Sequence, residues 1–235
     1  MKLNKLSIIL CTLNEEEFIA QTIDELNKTF ENIEIIIVDD NSTDKTIEKI
    51  SNLNLSNTKV FQRKKSKGLS SAFMLGLIHS TGDVIGWVDT NMPYVIKHYR
   101  KIFNDIGEID LGLLSRYSQE DAGDQRKFLR KVSSKILNNF AKFILRSKIT
   151  DLSSGLFLMK RELLLEAIPD ANGYGDFMIE FITDLEKKGF KIKEYPYVQL
   201  PENQGTSKSI SSYFTFFKFG FFYFLRIFKC FFKNI

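Results

Sequence analysis

The sequence predicts an α/β fold with a mostly parallel sheet flanked by helices. Four short apolar runs alternate with helix-like patterns over about ninety residues, as strand-helix units do. The runs are rich in Ile and Val, as expected of strands covered on both faces. Acidic turns follow two of them, at the strand ends where open α/β sheets bind ligands. A chain of 235 residues fits one such domain, alone or with an appendage.

Leu6 to Thr12 reads as the first strand. Asn14 suits the cap of a helix opening with Glu15, Glu16 and Glu17 at its positive end. Phe18, Ile19, Ile23 and Leu26 keep helical spacing. Ile33 to Val38 is the second strand, and Ser42 or Thr43 suits the cap of the next helix. Val60 and Phe61 mark the third strand. The basic loop Arg63 to Gly68 leads to a helix holding Ala72, Leu75 and Gly76. Val84 to Val88 is the fourth strand, entered through Gly82-Asp83 and ending at Asp89-Thr90-Asn91. Pro93 then suits a first helical turn.

Further on, Ile109 to Leu114 reads as a strand and the polar stretch Ser118 to Gln125 as a mobile loop. Arg126 to Leu145 is a long helix, basic at its start. Asp151 to Gly155 is a turn before a strand, Leu156 to Met159. Phe177 to Lys187 is a helix, Ile192 to Leu200 a strand, and Pro201 to Lys208 a polar loop. A strongly aromatic tail, Tyr213 to Phe232, closes the pattern.

The net charge of +4 is too small to argue for nucleic acid. Cys11 and Cys230 lack metal-ligand spacing, and Cys11 reads as a reduced core thiol, in keeping with a cytosolic setting. The apolar run Leu6 to Leu13 is too short for a signal peptide or a membrane span.

Asp39 and Asp40 end one strand and Asp89 another, so a parallel sheet brings the carboxylates to one edge. Acids there can bind a base or ribose, or hold a metal that carries phosphates. They can equally serve as turn and cap residues. Asp89 and Asn91 offer oxygen ligands to a divalent cation, or an Asp-x-Asn turn before the next helix.

The ordered motifs resemble those of family 2 glycosyltransferases with a GT-A (Rossmann-like) fold. They begin with Ser7-Ile8-Ile9-Leu10-Cys11-Thr12-Leu13-Asn14-Glu15. Ile36-Ile37-Val38-Asp39-Asp40-Asn41-Ser42-Thr43-Asp44-Lys45-Thr46 follows, then Lys67-Gly68, Ala72, Gly76 and Gly82-Asp83. The subgroup most resembled is the dolichol- or polyprenyl-phosphate mannose synthases and their glucose relatives. That likeness runs through Ser115-Arg116-Tyr117, Arg130, Ser134, Asn138, Asp151 and Ser154-Gly155. It continues through Gly173-Tyr174, Glu180, Glu194-Tyr195-Pro196 and Gly205-Thr206-Ser207-Lys208.

The resemblance implies a nucleotide-sugar site formed by Thr12, Asn14, Glu15, Asp39, Asp40, Lys67, Gly68 and Asp89. It implies Mg²⁺ or Mn²⁺ at Asp89 and Asn91, and an acceptor phosphate held by Arg116, Arg130, Ser134 and Lys208. Asp89, Arg116 and Arg130 are then the catalytic candidates. The implied reaction is inverting transfer of a hexose from a nucleotide diphosphate sugar, of the GDP-mannose or UDP-glucose type. The acceptor is a polyprenyl or dolichyl phosphate at the cytoplasmic membrane face. A saccharide-hydroxyl acceptor is the alternative; it needs a general base, for which Asp176 is the candidate unless it only caps a helix. A nucleotide-sugar-binding protein that has lost its activity is another.

Two motifs depart from the pattern. Asn91 stands where the family has its second acid and Pro93 where a glutamine is usual, and Glu202 stands where it has an arginine. An amide oxygen is a neutral ligand, so metal affinity falls unless the donor diphosphate supplies charge. The likeness divides the chain into a GT-A domain, residues 1–208, and an aromatic, basic tail, residues 209–235. The tail resembles an interfacial helix, with Lys218, Arg226, Lys229 and Lys233 mostly on one side to meet anionic lipid; a core-packing C-terminal helix and an oligomer interface are the alternatives. Oligomeric state is left open.

Overall fold

In a computed structural model that describes residues 5–65, 68–201 and 213–233, the first apolar run forms strand β1 (Leu6–Thr12). Helix α1 (Ile19–Thr29), β2 (Ile33–Asp39), α2 (Thr46–Asn52), β3 (Thr58–Gln62), α3 (Leu69–His79) and β4 (Val84–Trp87) follow in strict alternation. A 3-10 turn at Pro93–Val95 leads into α4 (Ile96–Asp105), then β5 (Leu111–Ser115). A two-residue strand, β6 (Gly123–Asp124), precedes α5 (Phe128–Leu145) and β7 (Phe157–Lys160). The chain continues through α6 (Phe177–Lys187), β8 (Ile192–Pro196), β9 (Val198–Gln199) and α7 (Tyr213–Lys233).

Seven strands form one sheet in the order β3-β2-β1-β4-β7-β5-β8. The sheet is mostly parallel, but β7 runs antiparallel to both neighbours, with Trp87 opposite Phe157 and Leu113 opposite the same residue. β6 and β9 pair in a separate two-stranded sheet.

Period-two alternation divides the core. Leu6, Ile8 and Leu10 pack with α1 and α4, through residues such as Ile23 and Tyr99. Ile9, on the other face, packs with Phe73 of α3, Ala141 of α5 and Phe181 of α6. Helix α7 belongs to this second face: its Ile227 and Cys230 are fully buried. Gly86 permits the close approach of strands at the sheet centre, since a Cβ there would lie 2.3 Å from Leu158 Cδ2.

Four expectations are corrected. Asn14 caps no helix; it adopts φ 54°, and α1 starts at Ile19. Its side chain instead accepts the Thr43 N–H at 2.7 Å, lacing the loops after β1 and β2 together. Neither Ser42 nor Thr43 caps α2, because Asp44 takes the Thr46 N–H at 3.0 Å. Residues 118–125 contain β6, paired to β9, where a loop alone was expected. The strand expected over 192–200 is broken at Tyr197, whose N–H turns to Ser115 O at 3.2 Å. Among the described residues, no helix is long and apolar enough to cross a membrane.

Candidate active site

The carboxyl ends of β1, β2 and β4 open into a cleft of about 1480 Å³. Its rim is completed by α5, by the segment around Tyr174 and by α7. Thr12, Glu15, Asp40, Gly68, Asp89, Asn91, Arg116, Arg130 and Ser134 all line it, so most sequence candidates are brought together. Asn14, Asp39 and Asp176 are not among its lining residues. Lys67 and Lys208 lie outside the described residues, as do Glu202 and the Gly205-to-Lys208 motif.

At the β1–β2 end, Asp39 is fully buried and works inside the protein. It accepts the Thr12 hydroxyl at 3.0 Å and the Ser42 N–H at 2.9 Å, fixing both loops. Asp40 faces the cleft but is also engaged. Arg63 Nε donates to Asp40 Oδ1 at 2.6 Å, and the Gly68 N–H donates to Oδ2 at 2.8 Å. The acid thus shapes the mouth of α3. Cys11 is half-buried beside it. Burial, and then the charges of Asp89 and Asp40, push its thiol well above the ordinary value, which disfavours the thiolate.

Asp89 lines the cleft just beyond β4. Its side chain is open to water, yet the cleft walls surround it, and this partial burial raises its carboxyl to about 6. Among the described residues no side chain or backbone N–H bonds to that carboxylate. Asn91, two residues on, adds an amide oxygen to the same cleft. Among the described residues no group of three or more His, Cys, Asp or Glu could hold a metal. One carboxylate and one amide are hard oxygen ligands that fit Mg²⁺ or Mn²⁺ once phosphate oxygens join them.

The other half of the cleft is basic. Arg116 is nearly buried and forks onto Asp151, with Nε–Oδ2 at 2.8 Å and Nη2–Oδ1 at 2.7 Å. Glu194 holds that turn by accepting the Thr150 and Asp151 N–H groups at 2.9 and 3.0 Å. Asn138 reaches from α5 to Ser153, whose hydroxyl accepts Arg116 Nη2 at 2.8 Å. These contacts aim Arg116 and leave its Nη1 uncommitted among the described residues. Burial, followed by the charge of Arg126, pushes the Arg130 guanidinium below its ordinary value. Two like charges held together favour an anion between them.

Arg126 was not singled out by the sequence. It lines the cleft and is clamped by Asp124, at 2.9 and 2.6 Å. The Asp-x-Arg spacing just ahead of a basic helix start was the available signal. Also unforeseen is the aromatic wall that α7 contributes through Phe219, Phe221, Tyr223 and Phe224. Asp176 is 4% exposed and shares its carboxylate between Arg226 Nε at 2.9 Å and the Tyr174 N–H at 2.8 Å. A base so committed is poorly placed to take a substrate proton.

The sequence profile described as "Glycosyl transferase family 2" matches residues 7–167. Dolichol-phosphate mannosyltransferase of Pyrococcus furiosus is 31% identical over 211 residues, covering 87% of this chain and 59% of that protein. Low-salt glycan biosynthesis hexosyltransferase Agl6 of Haloferax volcanii is 27% identical, covering 83% and 48%. This chain therefore spans about half to three-fifths of the length of those two relatives. Polyprenol monophosphomannose synthase of Mycolicibacterium smegmatis is 26% identical, covering 87% and 81%. Among solved structures, glucosyl-3-phosphoglycerate synthase of Mycobacterium tuberculosis, in complex with Mn²⁺, UDP and phosphoglyceric acid, superposes with a TM-score of 0.73. That match has 18% identity and covers 97% of this chain and 78% of the other; it shows a shared GT-A fold.

Proposed function

The chain belongs to glycosyl transferase family 2, and from that membership we propose that it transfers a hexose from a nucleotide diphosphate sugar to a polyprenyl phosphate. One observation carries the reading. A single cleft runs from the acid-bearing ends of β1, β2 and β4, past three arginines, to an aromatic wall on α7. A polar donor, a phosphate and an apolar chain suit those three zones in that order.

The nucleotide would lie by Thr12, Glu15 and Asp40, with its diphosphate turned to Asp89 and Asn91. A divalent cation held by those two residues would neutralise charge on the departing diphosphate. Arg116 Nη1, Arg126 and Arg130 orient the acceptor phosphate, for which guanidinium is suited by charge and planar geometry. A phosphate oxygen forms the new bond to the anomeric carbon as the bond to the diphosphate breaks, with inversion. The nucleoside diphosphate departs with the electron pair. The acceptor is already an anion at neutral pH, so no proton need be removed. This agrees with Asp176 being held by Arg226, which leaves the saccharide-hydroxyl route without its candidate base.

The lipid chain would pass between α5 and α7 into a membrane at the cytoplasmic face. Phe128 and Phe143 of α5 are 81% and 80% exposed, and Phe232 of α7 is 68% exposed. So much bare aromatic surface suits an interfacial contact.

The test incubates purified protein with labelled GDP-mannose or UDP-glucose, Mg²⁺ or Mn²⁺, and vesicles containing polyprenyl phosphate. The expected product is an organic-soluble glycosyl phospholipid. Transfer only to soluble saccharides, or none with any donor, would overturn the reading.

A further inference from the structure

We propose that Arg226 is a positioning residue that fixes the Tyr174–Gly175 corner of the cleft and so sets how the acceptor lipid is seated. The proposal rests on the transferase reading above.

Arg226 is 8% exposed, and its whole guanidinium grips one segment of chain. Nε donates to Asp176 at 2.9 Å. Nη1 donates to Asp170 at 2.6 Å and to Glu180 at 2.7 Å. Nη2 donates to Asn172 O at 2.9 Å. Asp176 passes this hold onward by accepting the Tyr174 N–H at 2.8 Å. Gly173 and Gly175 have φ of +120° and +114°, so the corner turns through backbone conformations few other residues adopt. A Cβ on Gly173 would meet Asp176 Oδ1 at 2.5 Å. From α3, Ser70 pins Gly173 O at 2.7 Å.

The result is a wall. The Tyr174 ring stacks on Phe219 of α7, with centroids 4.4 Å apart and planes at 19°, and both rings line the cleft. Arg226 therefore joins the helix that carries the aromatic wall to the loop that faces it. Lys233 ties the same helix to Glu180 and Asp184, at 3.2 and 2.7 Å, but touches nothing at the corner. It separates anchoring of the helix from shaping of the cleft. Trp87, the only tryptophan, stacks on Phe177 at 5.9 Å with planes 7° apart. Phe177 directly follows Asp176, so indole emission reports the position of this corner.

The experiment compares wild type with Arg226→Met, Arg226→Lys, Lys233→Ala and Phe219→Leu, using polyprenyl phosphate in phosphatidylcholine vesicles. For Arg226→Met, kcat/KM for the lipid should fall about 10- to 100-fold through a raised acceptor KM, the scale set by small misplacements of a reactant. Binding of nucleoside diphosphate with Mn²⁺, followed by calorimetry, should stay within about twofold, because none of its ligands depends on the corner. Trp87 emission should shift. Arg226→Lys should restore part of the loss, since an ammonium reaches some of the acids but lacks the fork. Lys233→Ala should behave as wild type. If Arg226→Met does not fold, Arg226→Lys and Phe219→Leu carry the test, and both should show the same split at smaller size. A wild-type acceptor KM in these variants, or equal weakening of donor and acceptor, overturns the proposal. Failure of the wild type itself to glycosylate polyprenyl phosphate overturns the underlying transferase reading instead.

Discussion

Replacing Asp89 by Asn should stabilise the metal-free protein while removing its ligand response. The carboxyl is raised from its ordinary 3.8 to about 6 by burial alone, with no donor offsetting the cost of its charge. Each pH unit of that difference is worth about 1.4 kcal/mol, which sets a ceiling of about 3 kcal/mol for a dry site. The side chain is open to water in the cleft, so screening cuts this to about 1 kcal/mol. For a chain of this size the variant should melt about 2–4 °C higher at pH 7.5. The sign with pH follows from linkage. The native carboxyl holds its proton more tightly than the unfolded one, so wild type loses stability as pH rises from about 4 through 6. The advantage of Asp89→Asn should therefore disappear at pH 4. Melting in EDTA at both pH values measures the difference. A second scan with nucleoside diphosphate and Mn²⁺ should raise the melting point of wild type only. A variant no more stable than wild type at pH 7.5, or one that keeps the ligand shift, would refute the reasoning.

Asn91→Asp restores a second carboxylate beside Asp89, and Mn²⁺ binding to the nucleotide-free protein should strengthen about 10-fold or more, as ligand charge count predicts. Electron paramagnetic resonance titration checks this, and unchanged affinity would remove Asn91 from the ligand set. Asp151→Asn leaves Arg116 buried without its counter-ion and should cost about 3 kcal/mol or more in urea denaturation. A cost near zero would mean the pair is not buried as described. Glu34 is 4% exposed. Burial opposes its charge, but hydrogen bonds from Lys59, Ser7 and Thr81 outweigh this and hold its carboxyl at about 2. Its contribution is complete above about pH 4.3 and is lost as pH falls towards 2. Glu34→Gln should thus destabilise at pH 7 and converge on wild type near pH 2, read by denaturant midpoints; a constant gap would sink the assignment.

The central strands were legible because they are short, largely apolar runs, as expected of a sheet covered on both faces. Leu6–Thr12 and Phe177–Lys187 have the bounds their patterns predict. The reversal of β7 was not legible, since Phe157 to Met159 reads the same in either direction. Residues 123 and 124 are too short a run to signal a strand. The acids were legible as a set but not by task. Nothing in Asp39-Asp40 says that the first would lock Thr12 and Ser42 while the second holds Arg63. That division comes from strand pleat and loop path, which place one side chain inside and its neighbour at the cleft.

The tail shows how a correct pattern can leave its partner unnamed. Helical spacing puts Arg226, Lys229 and Lys233 on one face, and charge with exposed rings favoured anionic lipid over a helix packed on the core or an oligomer interface. In the fold that face meets α6 and the segment before it, where Asp176, Glu180 and Asp184 recur every four residues. The complementary stripe was in the sequence, but only packing pairs the two. Cations paired with α6 are less available to anionic headgroups, so a membrane contact of the kind proposed would rest on Lys218, whose Nζ lies over the exposed Phe222 ring, on the other bare rings and on α5. Vesicle binding should then survive Lys233→Ala. It should fall at least about 10-fold for Phe128→Glu with Phe232→Glu, which inserts two charges into the interface. Both residues are exposed, so melting temperature should hardly change. If sedimentation with vesicles shows binding unaffected by the paired glutamates and lost with Lys233, α7 faces the membrane with its cations and the packing described for it does not persist on lipid.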